Sequence, residues 1–397
     1  MQKVWVNIPD VLFFQEGPGV RNTQYTTEGV KLLNVANLVD GKVDLSTSDR
    51  YISEEEAYGK YEHFLCDTGD FIVASSGIKV EYIDKKMGFV DETMLPLCMN
   101  TSTIRFKVLD VNQLRIRYFM YYLKSQHFKN QLYKQITGSA QLNYGPSHLK
   151  KMIMPLIPLN KQDEIVSCMD KVQNIIEMRQ KELEHLDDLI KARFVEMFGD
   201  VIHNSKKWQV CLFAEITSSR LGKMLDAKQQ TGRNSYPYLA NFNVQWFRFN
   251  LENLNKMDFD EKDRAEFELR EGDLLVCEGG EIGRCAVWHN ELQPCFFQKA
   301  LHRVRCNHQI ILPDYLAWWF RYNCDYGGFS ALAGAKATIA HLPGAKLKQL
   351  QVAVPPMELQ EQFAVFVAQT DKSKVAVQKA LDEAQLLFDS LMQEYFG

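Results

Sequence analysis

Along Ile165, Met169, Val172, Ile176, Arg179, Leu183, Leu186, Ile190, Arg193 and Met197, residues step by four and three, and eight of these ten positions are apolar. Such spacing puts a narrow stripe on one side of a helix, so it predicts one long helix packed on a second. The partner is legible too: Phe363, Val367, Thr370, Lys374, Val377, Leu381, Ala384, Phe388, Leu391 and Tyr395 follow the same rhythm. Segments 158–199 and 356–397 align without a gap over 42 positions at an offset of 198. Gln162 matches Gln360, Lys181 matches Lys379, Leu183 and Leu189 match Leu381 and Leu387, and Phe198 matches Phe396. A period near 200 is too long for a stacked solenoid and points to a duplicated unit.

The stretches before each helix share a weaker grammar. Gly17, Pro18 and Gly19 mark a loop, residues 30–35 read as a strand, and Gly69-Asp70 as a turn into a buried strand. From Val111 the rhythm becomes helical through Leu114, Tyr118, Phe119, Tyr122, Leu123 and Phe128, and one helix is expected to end before Gly138. In the second stretch, YPYLANFNV places Asn243 opposite Asn37, and LREGDLLVC places Asp273 opposite Asp70. Trp318 and Trp319 read as helix core, and Asn37 and Asn243 as side chains bonded to their own backbone. The offset falls from 206 to 203 to 198, so the scaffold is shared while the loops differ. The boundaries read from the pattern are 1–157, 158–199, 200–355 and 356–397.

Composition bounds the class. With 397 residues, 46% apolar and 24% charged, the chain reads as a soluble protein of two or three domains. No run of 18 apolar residues occurs, and the start lacks a signal-peptide core, so a cytoplasmic location is expected. Nine cysteines without CxxC spacing fit reduced thiols, and Cys277, Cys285, Cys295 and Cys306 match no zinc spacing. The helices carry −7 of the total −4, leaving +3 elsewhere. The stretch 111–162 holds Arg115, Arg117, Lys124, Lys129, Lys134, Lys150, Lys151 and Lys161 with no acidic residue. A second basic stretch, 292–357, holds Lys299, Arg303, Arg305, Arg321, Lys336, Lys346 and Lys348 against two aspartates. About half of these cations are expected to approach phosphates.

Globular unit, long helix, globular unit, long helix, with LIPLNKQDEI and VPPMELQEQF opening the helices and LDDLIKARFVEMFGD closing the first, resembles the specificity subunit of Type I restriction–modification systems. The resemblance covers nearly the whole chain, although the first copy has Ile157-Pro158 where the second has Pro355-Pro356. It implies an α+β fold: two similar mixed α/β target-recognition domains separated by two long antiparallel helices forming a coiled coil. It also implies double-stranded DNA, two modification (methyltransferase) subunits and optionally restriction subunits as partners. S-adenosylmethionine would be held by the modification subunit, and no cofactor is expected in this chain.

Physical chemistry adds to this. Domain termini usually lie close together, so Gly199 and Pro356 should be neighbours and the helices antiparallel. About 38 helical residues span roughly 55 Å, against about 34–36 Å per DNA turn, so a split target with unread bases between two blocks is expected. Arginine reads guanine, and asparagine or glutamine reads adenine. The expected DNA-contacting residues are Arg21, Gln24, Tyr25, Ser139, Gln141, Asn143, Lys150 and Lys151 in the first unit. In the second they are Arg220, Lys223, Arg233, Asn234, Lys336, Thr338 and Lys346. No Asn-Pro-Pro-Phe/Tyr loop or GxxxxGK[ST] motif is present, so a non-catalytic recognition subunit is the expectation. The weak nuclease-like set of Asp10 with Asp84-Lys85-Lys86 and the Gly279–Gly283 run carry little. Two other classes stay open: a nuclease or methyltransferase with a divergent site, and a coiled-coil organiser without DNA specificity. A methylation-only system would look the same.

Overall fold

The computed structural model describes residues 3–135, 143–226, 230–330 and 341–397. The chain divides into two compact units, Met1–Gln180 with Lys379–Gly397, and Lys181–Gln378. The first unit contains β1 (Val4–Asn7), β2 (Leu12–Glu16), β3 (Val30–Leu33), β4 (Tyr51–Ile52), β5 (Phe71–Ala74), β6 (Met87–Phe89), β7 (Leu97–Met99) and β8 (Thr103–Val108). Helices α1 (Ile116–Lys124) and α2 (Gln126–Gln135), strand β9 (Ile153–Leu156) and the long α3 (Leu159–Phe198) follow. Strands β2-β8-β5-β6 form one antiparallel sheet; β4-β3-β7 form a second, in which β3 and β7 run parallel; β1 pairs with β9. Every residue of β5 is fully buried, as a short unbroken apolar run predicts for a central strand.

The second unit repeats this order. Its strands are β10 (Gln209–Leu212), β11 (Thr217–Leu221), β12 (Ser235–Leu239), β13 (Lys256–Asp258), β14 (Leu274–Cys277), β15 (Cys285–Val287), β16 (Phe296–Phe297) and β17 (Leu301–Cys306). Then come α4 (Pro313–Asp325), β18 (Gln351–Val354) and the long α5 (Met357–Phe396). Sheet orders β11-β17-β14-β15, β13-β12-β16 and β10-β18 correspond strand for strand to those of the first unit.

The turn entering each central strand is built alike. Asp70 and Asp273 donate their backbone N–H to the carbonyls of Asp67 and Arg270, across glycines with φ of 88° and 81°. A third turn residue at positive φ is what glycine supplies without strain. Each aspartate carboxylate is buried and meets an arginine of the neighbouring strand: Asp70 meets Arg105 at 3.1 Å, and Asp273 meets Arg305 at 2.7 Å. Asn37 and Asn243 also behave as expected. Their side-chain oxygens accept from the N–H of Asn34 and Ala240, and their amides donate to the carbonyls of Asp44 and Asn250.

One expected helix is two. Ser125 is extended, with ψ of 153°, and its hydroxyl accepts from the N–H of Phe128, so it ends α1 and caps α2. The strand expected over 30–35 ends at Leu33 and passes into a tight turn at Val35–Asn37. Trp318 and Trp319 are buried in α4, as their place in the apolar pattern predicts.

Both long helices are 40 residues, and all twenty seam positions are buried or half-buried. In the first unit Val172 and Ile176 share a cluster with Leu381, Ala384, Phe388 and Leu391, while Phe396 lies 5.2 Å from the ring of Tyr118. In the second, Phe194 and Phe198 stand 5.5 and 5.3 Å from Phe363, and Asp187 pairs with Lys374 at 2.6 Å. In the second unit rising numbers on one helix, 187 to 198, meet falling numbers on the other, 374 to 363, so the helices are antiparallel.

A buried glutamine fixes the start of each. Gln162 accepts from the N–H of Arg115 and donates to the carbonyls of Gln113 and Ile157, all at 2.8 Å. Gln360 does the same with Leu312, Ile310 and Pro355 at 2.8, 3.0 and 2.8 Å. Alanine at 162 would leave one donor and two acceptors unpaired in a buried position. Gln162→Ala is expected to lower stability by about 1–3 kcal/mol, read as a lower urea midpoint with unchanged slope. Unfolding at the parent's midpoint would remove this role from the amide.

Candidate nucleic-acid interface

Each unit sends out an early loop between its second and third strands, and both loops leave through a glycine that nothing else can replace without movement. A Cβ on Gly17 would lie 2.0 Å from the carbonyl oxygen of Asn100; on Gly222 it would lie 2.3 Å from that of Gln298. The glycine N–H groups donate to the carbonyls of Thr103 and Leu301. The chain therefore exits at one fixed place in both units.

In the first loop Arg21 is exposed. Gln24 is committed inward: its amide donates to Glu56 at 2.6 Å and to the Tyr61 hydroxyl at 3.1 Å, and its oxygen accepts from the N–H of Arg21. The Tyr25 hydroxyl accepts from Asn100, and the exposed Arg50 guanidinium lies over the Tyr25 ring at 5.3 Å. Arg50 was not singled out from sequence, because it reaches this loop only through the pairing of β3 with β4.

The late loop returns beside the early one. Asn143 is exposed and forms an antiparallel bridge with Ser76, and a Cβ on Gly145 would sit 3.2 Å from the Glu16 carboxylate, one residue before Gly17. Lys150 and Lys151 follow, exposed, after the short helix Pro146–Leu149. In the second unit His341 bridges to Gly279 in the same way, and Leu342 donates to Glu278 as Tyr144 does to Ser75. His341 is thus the counterpart of Asn143, in keeping with the offset of 198. Lys346 is exposed on the following short helix, Gly344–Lys348. Ser139, Gln141, Lys336 and Thr338 lie outside the described residues.

The second early loop is held by its own clasp. Lys223 donates to the Asp258 carbonyl at 2.7 Å, pairs with Asp263 and lies over the Phe259 ring, so its ammonium is tied to the scaffold. The Asp258 carboxylate accepts from the Thr231 hydroxyl at 2.7 Å and from the N–H groups of Thr231 and Gly232. The Thr231 hydroxyl foremost, against the desolvation that opposes it, holds this carboxyl below its ordinary range. Arg233 and Asn234 stand exposed just beyond. Arg220 pairs with Glu266 and lies over Phe267.

Several cations of the basic stretches are paired within the fold. Arg115 pairs with Asp163 at 2.8 Å, Arg117 with Asp170 at 2.6 Å, Lys161 with Glu164 at 2.6 Å and Lys129 with Asp84 at 3.6 Å. Burial holds the Lys124 ammonium below the ordinary lysine value. Arg303 donates to the Glu266 carbonyl, Arg305 binds Asp273, and Arg321 pairs with Asp325 at 2.9 Å. Apart from Asp325 on α4 itself, the acids come from α3 and from segments distant in sequence, which a count along 111–162 does not see. Lys134, Lys150 and Lys151 are exposed and have no carboxylate within ion-pair distance among the described residues.

Other chemistry is sparse. Among the described residues no three His, Cys, Asp or Glu side chains gather as a metal site. Burial pushes the thiols of Cys66, Cys98 and Cys295 up to about 12 and that of Cys277 to about 11. Asp10 accepts from Asn7, and Asp84 faces Lys129, so each carboxylate is engaged separately. The Gly279–Gly283 run is a tight connection between β14 and β15, with Gly280 and Gly283 at positive φ. No helix among the described residues is long and apolar enough to cross a membrane.

A family profile described as the Type I restriction modification DNA specificity domain matches residues 25–187 and 205–384. The Type I restriction enzyme MjaVIII specificity subunit of Methanocaldococcus jannaschii is 24% identical over 186 residues, 46% of this chain and 42% of that protein. The putative type I restriction enzyme MjaX specificity subunit of the same organism is 23% identical over 176 residues, 43% of this chain and 41% of that one. The alignments thus span about two-fifths of these curated relatives. A Type I restriction–modification S subunit from M. genitalium shares the fold at a TM-score of 0.59 and 15% identity, covering 100% of this chain and 96% of that one. A chain solved for complex assembly and conformational transition of a type I R-M system gives 0.58 at 16% identity, covering 99% and 97%.

The Asp258 clasp has a measurable consequence. Asp258→Ala should expose Arg233 to trypsin several-fold faster while the melting temperature stays close to the parent's. In the parent the clasp should hold above the ordinary carboxylate range and loosen only as pH falls through the depressed value. Equal cleavage rates in the two proteins would show that the carboxylate does not restrain the loop.

Proposed function

We propose that this chain, which belongs to the Type I restriction–modification DNA specificity family, reads a split, asymmetric DNA target and carries methyltransferase subunits on its long helices. The observation behind this reading is one scaffold built twice with different exposed side chains at the same two loop positions. Arg21, Arg50 and Asn143 in the first unit face the task that Arg233, Asn234 and His341 face in the second. Arginine forks suit guanine and amides suit adenine in the major groove; Lys150, Lys151 and Lys346 suit phosphates. Gln24, Tyr25, Arg220 and Lys223, all internally engaged, hold the loops in position for their contacts, and Ser139, Gln141, Lys336 and Thr338 are proposed as further DNA contacts. Unlike side chains in like places give unequal blocks of specified bases.

The helices offer the partner surface. Away from their seams, Met178, Val375 and Leu386 are 61%, 71% and 67% exposed, among acidic neighbours such as Glu184 and Asp188. Apolar side chains left in water on an otherwise packed helix suit a protein partner. Two modification subunits are the proposed partners, with restriction subunits as an optional addition. S-adenosylmethionine belongs to the modification subunit, which transfers the methyl group to adenine, and this chain contributes recognition rather than turnover.

Helix length then sets the gap between the blocks. Removing seven residues from matched positions of both helices keeps the heptad register and shortens each by about 10 Å, roughly three base pairs at about 3.4 Å. Co-expression with the cognate modification subunit and genome-wide mapping of methylated adenine should show a bipartite motif whose gap shrinks in the shortened variant. A continuous palindromic motif, or a gap indifferent to helix length, would contradict this reading.

A further inference from the structure

The two units differ most tellingly in one connection. From β14 to β15 the chain takes seven residues, 278–284; from β5 to β6 it takes twelve, 75–86. The five additional residues account for the fall in offset from 203 to 198, and the longer connection contains a six-residue helical turn, Val80–Lys85, without counterpart in the second unit. Beside it lies an open cavity of about 530 Å³, lined by Val39, Asp40, Lys79, Tyr82, Lys85 and Lys86 among others.

The charges of this segment are sorted by direction. Its two acids turn towards α2: Glu81 accepts from the Tyr133 hydroxyl, which holds its carboxyl below the ordinary range, and Asp84 pairs with Lys129. Its three lysines line the cavity instead, and none has a carboxylate within ion-pair distance among the described residues. Lys79 and Lys85 are exposed, Lys86 is half-buried, and the Tyr82 ring is 51% exposed beside them. Asp40 is the one carboxylate among the lining side chains. Three unneutralised ammonium groups and an exposed aromatic ring around a concavity fit a polyanion with flat hydrophobic faces.

Position selects which polyanion. Gly77, in the same lining, is one residue from Ser76, which bridges to Asn143 at the end of the late loop. The cavity therefore adjoins the side of the first unit assigned above to base reading.

We infer that the segment Gly77–Lys86 is a second DNA-contacting element, which grips the phosphate backbone of the duplex flanking the bases read by the first unit. The second unit has no equivalent, so its hold on DNA rests on its loops. This rests on the DNA-reading function proposed above. Lysine contacts of this kind add affinity without sequence preference and increase its dependence on salt.

The test uses the full chain co-purified with its modification partner, with Lys79, Lys85 and Lys86 all changed to Gln, and circular dichroism to confirm an unaltered melt. Binding to a duplex carrying the mapped target and to a scrambled duplex is titrated across salt. The slope of log affinity against log salt should fall by about two to three, affinity should drop by the same factor on both duplexes, and the methylation motif should be unchanged. Lys79→Gln alone, the most peripheral change, should show about a third of the effect. An unchanged slope in the triple variant, with the parent's slope intact, would overturn the inference and leave the proposed function standing. Altered bases in the methylation motif would also overturn it, since the lysines would then be reading sequence. A parent complex with no salt-dependent affinity would sink the function itself.

Discussion

A buried side-chain amide at the start of each long helix is the constraint on which both units depend. Gln162 and Gln360 each tie three backbone groups: one N–H ahead of the globular helix, one carbonyl in the turn before it, and one carbonyl at the end of the last strand. A one-residue slip of the long helix would rotate the amide by about 100° and strand all its partners away from water. Slippage is easy along a heptad seam of ordinary aliphatic residues and hard for a fully paired buried amide. The helix is therefore keyed to its unit, and any side chain along it has a defined direction.

Around that key, duplication shows what the fold holds constant. The Gly-Asp turn, the arginine that meets its buried aspartate and the narrow exits at Gly17 and Gly222 occur in both units. Differences collect in loops and in small details of the core. The Tyr315 hydroxyl donates to the Ala353 carbonyl at 2.6 Å, whereas the Tyr118 hydroxyl finds no partner among the described residues. A scaffold that keeps its turns and exchanges its loop side chains can acquire new specificity without rebuilding its sheets.

The helices, their antiparallel pairing and the paired asparagines were legible because each depends on residues near in sequence or on an exact repeat. Charge was not. Arg115 and Arg117 look unopposed within 111–162, yet Asp163 and Asp170, just beyond, lie on the helix that packs beside them. Partners of loop glutamine and lysine were hidden for a related reason: Gln24 and Lys223 have the chemistry of DNA readers, and the fold brings Glu56, Asp258 and Asp263 to their polar ends. Arg50 reaches the early loop only through strand pairing, whereas His341 closes the late segment in sequence and stands opposite Asn143 by the offset of 198. Ser125 was readable in principle, since a serine three residues before a buried phenylalanine is a good cap, but the apolar rhythm ran through it and prevailed.

The composition of the first unit has a consequence for how the chain matures. The second unit is one continuous stretch, while the first needs Lys379–Gly397 to finish its core, with Phe396 seated against Tyr118 and Tyr122. During translation the first unit emerges early and must wait for some 217 further residues, roughly 10–40 s at ordinary ribosomal speed. Through that interval the aromatic floor formed by α1 has no roof, and the part made first is the last to close. A nascent chain of this design carries its greatest exposure to chaperones and proteases at its N-terminal end.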